Sequence, residues 1–217
     1  FLSKSTKINM PQIATKCMMG ISLKKQGLYT GLGKTPDMYY VKVPTFSWSK
    51  IAGLDAVLSP EMKSTGEAIG YDKSLNRALY KSLKASGMRV VNYGTIFVTL
   101  SDETKELALP LIKRFYELGF NIEATSGTGK FLKEHGVKTR IKKKVSEGSE
   151  EILDALRKGH IAYVINTANR SEINRRKDGF KIRSVASLNN ITTFTSLDTV
   201  RILLDVLEDI TMKVAMI

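Results

Sequence analysis

From about Val91 onward, short β-rich runs alternate with longer segments of helical period, and this alternation constrains the fold more than any other feature. Such a pattern is typical of parallel strands joined by crossover helices. The predicted strands are residues 95–100, 121–125, 138–142, 161–166 and 191–194, and the predicted helices are residues 102–118, 127–135, 150–158 and 197–212. We therefore expect a three-layer α/β domain with a five-stranded, mainly parallel sheet.

The first part of the chain lacks this alternation. It contains two basic helical stretches, residues 11–25 and 74–85, around a turn-rich middle with Pro44 and Pro60. A glycine-flanked linker at residues 87–94 separates the two patterns. We expect residues 1–88 to be a mostly helical remnant, incomplete by itself, and residues 89–217 to form a second domain.

The formal net charge of +13 suggests nucleic-acid binding, but the charge is spread unevenly. Residues 1–90 carry 14 basic and 5 acidic residues, whereas residues 91–217 carry 20 and 16. No zinc-finger, RNP or GxxG signature accompanies this diffuse basicity. We expect no nucleic-acid partner, and a basic surface facing an acidic neighbour explains the same charge.

Cysteine, histidine and apolar runs exclude several further classes. With only Cys17, His135 and His160, neither an internal disulfide nor a Cys/His metal site is expected. No apolar run approaches the roughly 18 residues that span a bilayer. We expect no metal, no membrane partner and a cytoplasmic location. The start at Phe1, without an initiator Met, suggests a chain trimmed at its amino end.

Anion-suited side chains gather where the predicted strands end. Ligands of parallel sheets bind beyond the carboxyl ends of the strands, near helix amino termini. The second strand leads into a loop of hydroxyls and glycines, lysines lie near the ends of two other strands, and an amide and a hydroxyl close the fourth. These residues are Thr125, Ser126, Gly127, Thr128, Lys105, Lys144, Asn166 and Thr167. Together they suit a phosphomonoester.

Simpler interpretations stay open for these residues. A Thr/Ser/Gly loop before a helix is commonly a helix cap, and the basic run from Lys138 to Lys144 is typical of a solvated edge strand. His135 and His160 are expected to be structural or exposed. Because no nucleophile elbow, Walker loop or paired-carboxylate motif occurs, we expect no catalytic residue in this chain.

The first part resembles the large chain of carbamoyl phosphate synthetases. The stretch S-P-E-M-K-S-T-G-E at residues 59–67, with Gly70 downstream, resembles the end of that family's second ATP-grasp domain. The segments F-L-S-K at residues 1–4 and M-M-G-I-S-L at residues 18–23 are also similar to it. Because the family's metal-binding Glu/Asn motif is absent, the resemblance implies a remnant that cannot phosphorylate carbamate.

Residues from about 91 onward resemble the regulatory domain of the same family, which has a Rossmann-like, methylglyoxal-synthase-like fold. The resemblance implies that a nucleotide monophosphate effector, UMP or IMP, is held by residues matching Lys105, Thr125, Thr128, Lys144, Asn166 and Thr167. Of these, the lysines and threonines of the loop would hold phosphate, and Asn166 and Thr167 would face sugar or base. We expect an allosteric function in pyrimidine and arginine synthesis, with UMP as a feedback inhibitor.

The resemblance also implies what the parent enzyme does. It would be a ligase that makes carbamoyl phosphate from ATP, bicarbonate and glutamine-derived ammonia, with Mg or Mn and a glutaminase small subunit. Those cofactors would bind outside this sequence, and none is expected within it. The family uses this region for self-association, so a homo-oligomer is expected.

Two rival functions remain for the second domain. A methylglyoxal-synthase-like lyase acting on a phosphorylated triose needs a carboxylate base and a histidine, but the matching positions hold Ser149 and Arg175, with Glu150 as the only nearby substitute. A structural or oligomerising domain without an effector is the other rival. Lys144 replaces the tryptophan of members that respond to N-acetylglutamate, and Phe194 replaces the tyrosine of an ornithine site.

Overall fold

The computed structural model describes residues 1–28, 31–33, 35–46, 64, 66–167 and 177–212. Its strands are β1 (Tyr39–Thr45), β2 (Gly66–Asp72), β3 (Thr95–Thr99), β4 (Asn121–Thr125), β5 (Thr139–Lys142), β6 (Ile161–Asn166) and β7 (Thr192–Phe194). Its α-helices are α1 (Leu2–Thr6), α2 (Met10–Met18), α3 (Leu75–Ala85), α4 (Lys105–Glu117), α5 (Ser126–Glu134), α6 (Glu151–Arg157), α7 (Lys177–Leu188) and α8 (Leu197–Met212). Short 3₁₀ turns occupy Lys24–Gln26, Asp102–Thr104 and Val145–Glu147. Arg175 and most of the segment at residues 59–67 lie outside the described residues.

Strands β3 to β7 form one parallel sheet in the order β5-β4-β3-β6-β7. The predicted α/β fold with a five-stranded sheet is therefore confirmed. The chain begins this sheet at its centre, moves outward to β5, and returns to β6 on the other side of β3. A sheet of this kind has its ligand crevice between the two directions of winding, beyond the carboxyl ends of β3 and β6.

The strand boundaries agree with the sequence pattern to within one residue. Strands β4 and β6 have the predicted bounds, and β3, β5 and β7 are each one residue shorter. Strand β3 ends at Thr99 because the next backbone N–H, that of Leu100, donates to the hydroxyl of Thr128 at 3.1 Å. At Leu100, a hydrogen bond to a side chain thus takes the place of the next backbone hydrogen bond between strands.

Both faces of the sheet are covered by apolar layers. Ile96 and Val98 of β3 pack in the layer that contains Ile112 of α4 and Leu204 of α8. Phe97, which points to the opposite face as strand periodicity requires, belongs to a second layer. That second layer contains Ile152 of α6, Val164 of β6 and Ile182 of α7. Burial on both faces explains why these strands are nearly continuous apolar runs.

Helix α7 was not predicted from the sequence. It joins β6 to β7, and its buried side chains include Ile182, Arg183 and Ala186. Gly179 lies within it, and glycine lowers helix propensity by about 1 kcal/mol relative to alanine. A buried arginine also breaks the apolar stripe by which amphipathic helices are recognised. Tertiary packing, rather than local propensity, therefore accounts for this helix.

The first part contains the three helices α1, α2 and α3, in line with its expected helical character, but it also contains an antiparallel pair of strands that was not predicted. In this pair Tyr40 lies opposite Tyr71, and their rings stack at 5.8 Å. Pro44 lies inside β1, and proline usually argues against a strand because it lacks an N–H group. Helix α3 packs on this pair and also contacts α8, so it joins the two parts.

Candidate anion-binding site at the carboxyl edge of the sheet

The end of β4 passes directly into helix α5. Thr125 is the last residue of the strand and the N-cap of the helix, with extended backbone angles of φ −62° and ψ 158°. The Thr125 side chain makes no capping hydrogen bond to the first turn of α5, and Gly127 in that turn is exposed. Open amides at a helix amino terminus favour an anion through their hydrogen bonds and through the helix dipole.

Two threonine hydroxyls lie beneath this helix terminus. The Thr125 hydroxyl lies 3.3 Å from the Thr128 hydroxyl and 3.4 Å from that of Thr99. Thr125 and Thr128 are only 6% and 2% exposed. The Thr128 hydroxyl also accepts the N–H of Leu100. Thr128, which was predicted only as a residue of the loop, therefore also holds the end of β3 against α5.

Lys105, in the first turn of α4, lies beside the same helix terminus. Its ammonium lies 2.5 Å from the Asp102 carboxylate and 6.0 Å from the centre of the Phe131 ring. A Cβ atom built on Gly127 would be 3.9 Å from this ammonium, which places the cation next to the turn. Lys105 is 19% exposed in its side chain, whereas Asp102 is 94% exposed.

Lys144 approaches from the far side of the same edge. It is exposed, it follows the end of β5, and its backbone N–H donates to the Glu147 carboxylate at 3.3 Å. The pKa of Asp102 is held below its ordinary value, first by the hydrogen bond from Lys105, then by the charge of Lys105, with a smaller contribution from Lys144. The positive charges of both lysines therefore lower the pKa of the same carboxyl.

Thr167 directly follows strand β6 and connects the end of that strand to the loop after β3. Its hydroxyl lies 2.7 Å from that of Thr104 and accepts the N–H of Ser101 at 3.1 Å. Its own N–H donates to the carbonyl of Thr99 at 3.2 Å. The loop residues Ser101, Asp102 and Thr104 were missed in the sequence, although polar residues directly after a strand are the signal that identified Thr125.

The side chain of Asn166 is buried, and its hydrogen bond comes from within the protein rather than from the solvent side. It is 3% exposed, and its side-chain oxygen accepts an N–H of Arg183 at 2.8 Å. The structure thus brings all eight predicted residues to the carboxyl edge of the sheet, with Lys105, Gly127 and Lys144 beside the solvent and Thr125, Thr128 and Asn166 buried. The binding roles of these residues stay predictions.

The positions that would serve a lyase are engaged otherwise. The Ser149 hydroxyl accepts the N–H of Glu151 at 3.3 Å. Glu150 forms an ion pair of 3.2 Å with Arg157 on helix α6. The matching histidine position, Arg175, lies outside the described residues.

A buried carboxylate at the opposite edge of the sheet was missed altogether. Glu123, in the middle of β4, has a side chain only 4% exposed, and it lines a cleft of about 330 Å³. Its Oε1 lies 3.3 Å from Arg140 and 3.7 Å from His160, and its Oε2 lies 3.9 Å from Lys142 without a hydrogen bond. Two members of the predicted solvated basic face therefore neutralise a buried acid.

Among the described residues, no three potential ligands are grouped as a metal site would need. The helices in that part of the chain include none that is long and apolar enough to cross a membrane.

Comparison with known families places one further constraint on the second domain. Residues 107–195 match the family model described as the MGS-like domain. The matched segment runs from α4 to just beyond β7 and includes the candidate residues from Thr125 to Thr167. This match is consistent with the regulatory domain of carbamoyl phosphate synthetases, and equally with other MGS-like proteins.

Proposed function

We propose that this chain is an effector-binding regulatory region, in which a nucleoside monophosphate of the UMP or IMP type binds at the carboxyl edge of the five-stranded sheet. The phosphate would lie against the first turn of α5, between Lys105 and Lys144. Thr125 and Thr128 would line the floor, and Asn166 and Thr167 would face the sugar or base.

The observation that carries this proposal is the position of the Lys105 ammonium beside the exposed first turn of α5, with Lys144 following the neighbouring strand β5. Lys105 lies next to Gly127, and both Lys105 and Lys144 lower the pKa of the exposed carboxyl of Asp102. A dianionic phosphate gains from charge-assisted hydrogen bonds and from open amides in the same place. The MGS-like match supports a regulatory domain of this kind.

A triose phosphate lyase is less well supported by the same geometry. Proton abstraction from carbon needs a base within reach of the substrate. Serine occupies position 149, and the adjacent carboxylate, Glu150, is paired with Arg157. A phosphate site whose base position holds serine fits an effector better than a lyase.

The parent enzyme belongs to the same proposal. We infer that this region is the carboxy-terminal part of a carbamoyl phosphate synthetase large chain, a cytoplasmic ligase. ATP, Mg or Mn and the glutaminase small subunit would then act on residues outside this sequence, and self-association would involve this domain. Sedimentation that finds only monomers at high concentration would contradict the last point.

Calorimetric titration tests the effector site directly. The chain is titrated with UMP, IMP and inorganic phosphate, and so are the variants Lys144→Ala and, as a control, Lys143→Ala. We expect saturable nucleotide binding that Lys144→Ala weakens by roughly tenfold, a loss of about 1.4 kcal/mol. Lys143→Ala removes an adjacent exposed lysine and is expected to bind as the unchanged chain does. Absence of nucleotide binding would leave only a structural or oligomerising domain.

A further inference from the structure

One helix, α7, forms hydrogen bonds with two parts of the candidate site, the loop after β5 and the end of strand β6. The backbone N–H of Ser146, two residues after Lys144, donates to the Asp178 carboxylate at 2.8 Å. Five residues further along the same helix, Arg183 donates to the side-chain oxygen of Asn166 at 2.8 Å. Helix α7 therefore contacts both the loop that carries the second lysine and the strand end that carries the amide.

The second of these contacts is deeply buried and closely fitted. Asn166 and Arg183 are each 3% exposed. A Cβ atom added at Gly179 would lie 3.0 Å from the Arg183 Nη1 atom and 3.6 Å from the Asn166 amide. Because a side chain at position 179 would press on the Arg183 guanidinium, Gly179 leaves room for this contact between α7 and the end of β6.

We propose that α7 is the positioning element of the site, with Asp178 and Arg183 as its two positioning residues. Asp178 fixes the distance of Lys144 from the helix terminus of α5. Arg183 fixes the orientation of Asn166. This inference rests on the proposed function, since it concerns the same ligand.

The two contacts serve different parts of a ligand. Asp178 acts through the lysine loop, and hence on the phosphate. Arg183 acts through Asn166, and hence on the sugar or base of the ligand, whose hydrogen-bonding groups lie away from the phosphate. Because one helix holds both the Lys144 loop and Asn166, it fixes the distance between these two parts of the site. The site therefore favours a ligand that contacts both parts over free phosphate.

Titrations with UMP and with inorganic phosphate separate the two roles. Asp178→Ala is expected to weaken both ligands by roughly three- to tenfold, about the effect of one lost hydrogen bond. Asp154→Ala is the matched control, because Asp154 is also an acidic residue in a first helical turn, but its partner is Arg157 on its own helix. The control is expected to leave both affinities unchanged.

Gly179→Ala tests the other contact without weakening the helix, since alanine favours helix over glycine. Its methyl group must displace the Arg183 guanidinium by a few tenths of an ångström. We expect UMP affinity to fall by roughly threefold or more, with phosphate affinity within about twofold of the unchanged chain. Arg183→Lys, which keeps the buried charge but loses the planar fork, is expected to behave in the same direction.

The outcomes distinguish this inference from the proposed function. If the unchanged chain binds neither ligand, both fail. If it binds UMP and phosphate, but Asp178→Ala leaves both affinities unchanged or Gly179→Ala lowers both equally, the effector site stands and the positioning role of α7 is wrong. Circular dichroism of each variant confirms that it is folded during the titration.

Discussion

The ammonium of Lys105 lies 2.5 Å from the carboxylate of Asp102, so the cation best placed to meet a phosphate already has an anionic partner. Asp102 is 94% exposed, which leaves it free to turn toward solvent. A phosphate that binds here as proposed would therefore replace a carboxylate of the protein. We infer that Asp102 lowers the affinity of the site for anions in general.

Asp102→Asn is accordingly expected to strengthen binding. Removing the competing charge should raise the affinities for UMP and phosphate by about two- to fivefold, the range expected of an exposed ion pair. The control is Asp198→Asn, which alters a similar exposed pair with Arg201, three residues along its own helix. Weaker binding by the Asp102 variant would show instead that the carboxylate orients Lys105 for the ligand.

Much of the candidate site could be predicted from sequence because it follows from local pattern. Thr125 ends strand β4, and hydroxyls and glycines begin the helix that follows, so one stretch of chain contains both the candidate anion-binding residues and the strand end that positions them. Parallel pairing then brings Thr99 beside Asn166 and Thr125 beside Lys142. Those relationships need only strand order and period.

The unpredicted features depend on contacts between distant parts of the chain. Glu123 reads locally as a polar interruption of β4, and only the fold brings Arg140, Lys142 and His160 around it. The buried Arg183 of helix α7 contacts Asn166, 17 residues earlier. No local propensity encodes either arrangement, because each side chain is favourable only once its partner is in place.

Gly70 is expected to be indispensable for the packing of helix α3 on strand β2. A Cβ atom there would lie 2.1 Å from the carbonyl oxygen of Ala78 and 2.4 Å from the backbone nitrogen of Ser82. Because backbone atoms cannot move aside as a flexible side chain can, Gly70→Ala should lower the free energy of unfolding by at least about 2 kcal/mol.

Urea unfolding, followed by hydrogen exchange of the α3 amides, measures this effect. Gly33→Ala is the control, since a Cβ atom at Gly33 has no atom within 4 Å. Equal stabilities for the two variants would mean that α3 does not pack on β2 as closely as the structure shows.

The start of α3 is expected to loosen in acid. Asp72 accepts the N–H of Ser74 at 3.0 Å and pairs with Lys81 at 2.7 Å, and the hydrogen bond from Lys81 is the main reason its pKa falls to about 2. Its contribution to stability is therefore complete above its ordinary pKa of 3.8 and is lost as the pH falls from there toward 2.

Asp72→Asn should remove this part of the pH dependence. Between pH 5 and pH 2, the difference in stability between the unchanged chain and the variant should shrink toward zero as Asp72 becomes protonated. Unfolding by urea at several pH values in this range provides the measurement. Asp154→Asn, in an exposed pair with Arg157, is the control, and a difference between the chain and Asp72→Asn that stays constant with pH would contradict the role of the Asp72 charge.

Tyr163 ties the linker before β3 to the core of the second domain. Its hydroxyl donates to the carbonyl of Val91 and accepts the N–H of the same residue, each at 2.7 Å. Burial of the phenol is the main cause that raises its pKa to about 12 from an ordinary value of 10. The folded state therefore holds this proton more tightly than the unfolded chain does.

The sign of the pH dependence follows from that order of affinities. The stability contributed by protonated Tyr163 is complete below pH 10 and is lost as the pH rises from 10 to 12. Tyr163→Phe leaves both polar groups of Val91 without this partner, so the free energy of unfolding at pH 8 should fall by about 1–3 kcal/mol. The variant should also lose less stability than the unchanged chain between pH 10 and pH 12.

Urea unfolding at pH 8, 10 and 12 measures both effects, and the comparison cancels the titration of the lysines, which is common to the two proteins. Tyr116→Phe is the control, because Tyr116 is an exposed residue of α4. A Tyr163→Phe variant as stable as the control at pH 8 would show that Val91 finds other partners. The attachment of the linker would then not depend on the Tyr163 hydroxyl, and ionisation of that hydroxyl at alkaline pH would not weaken it.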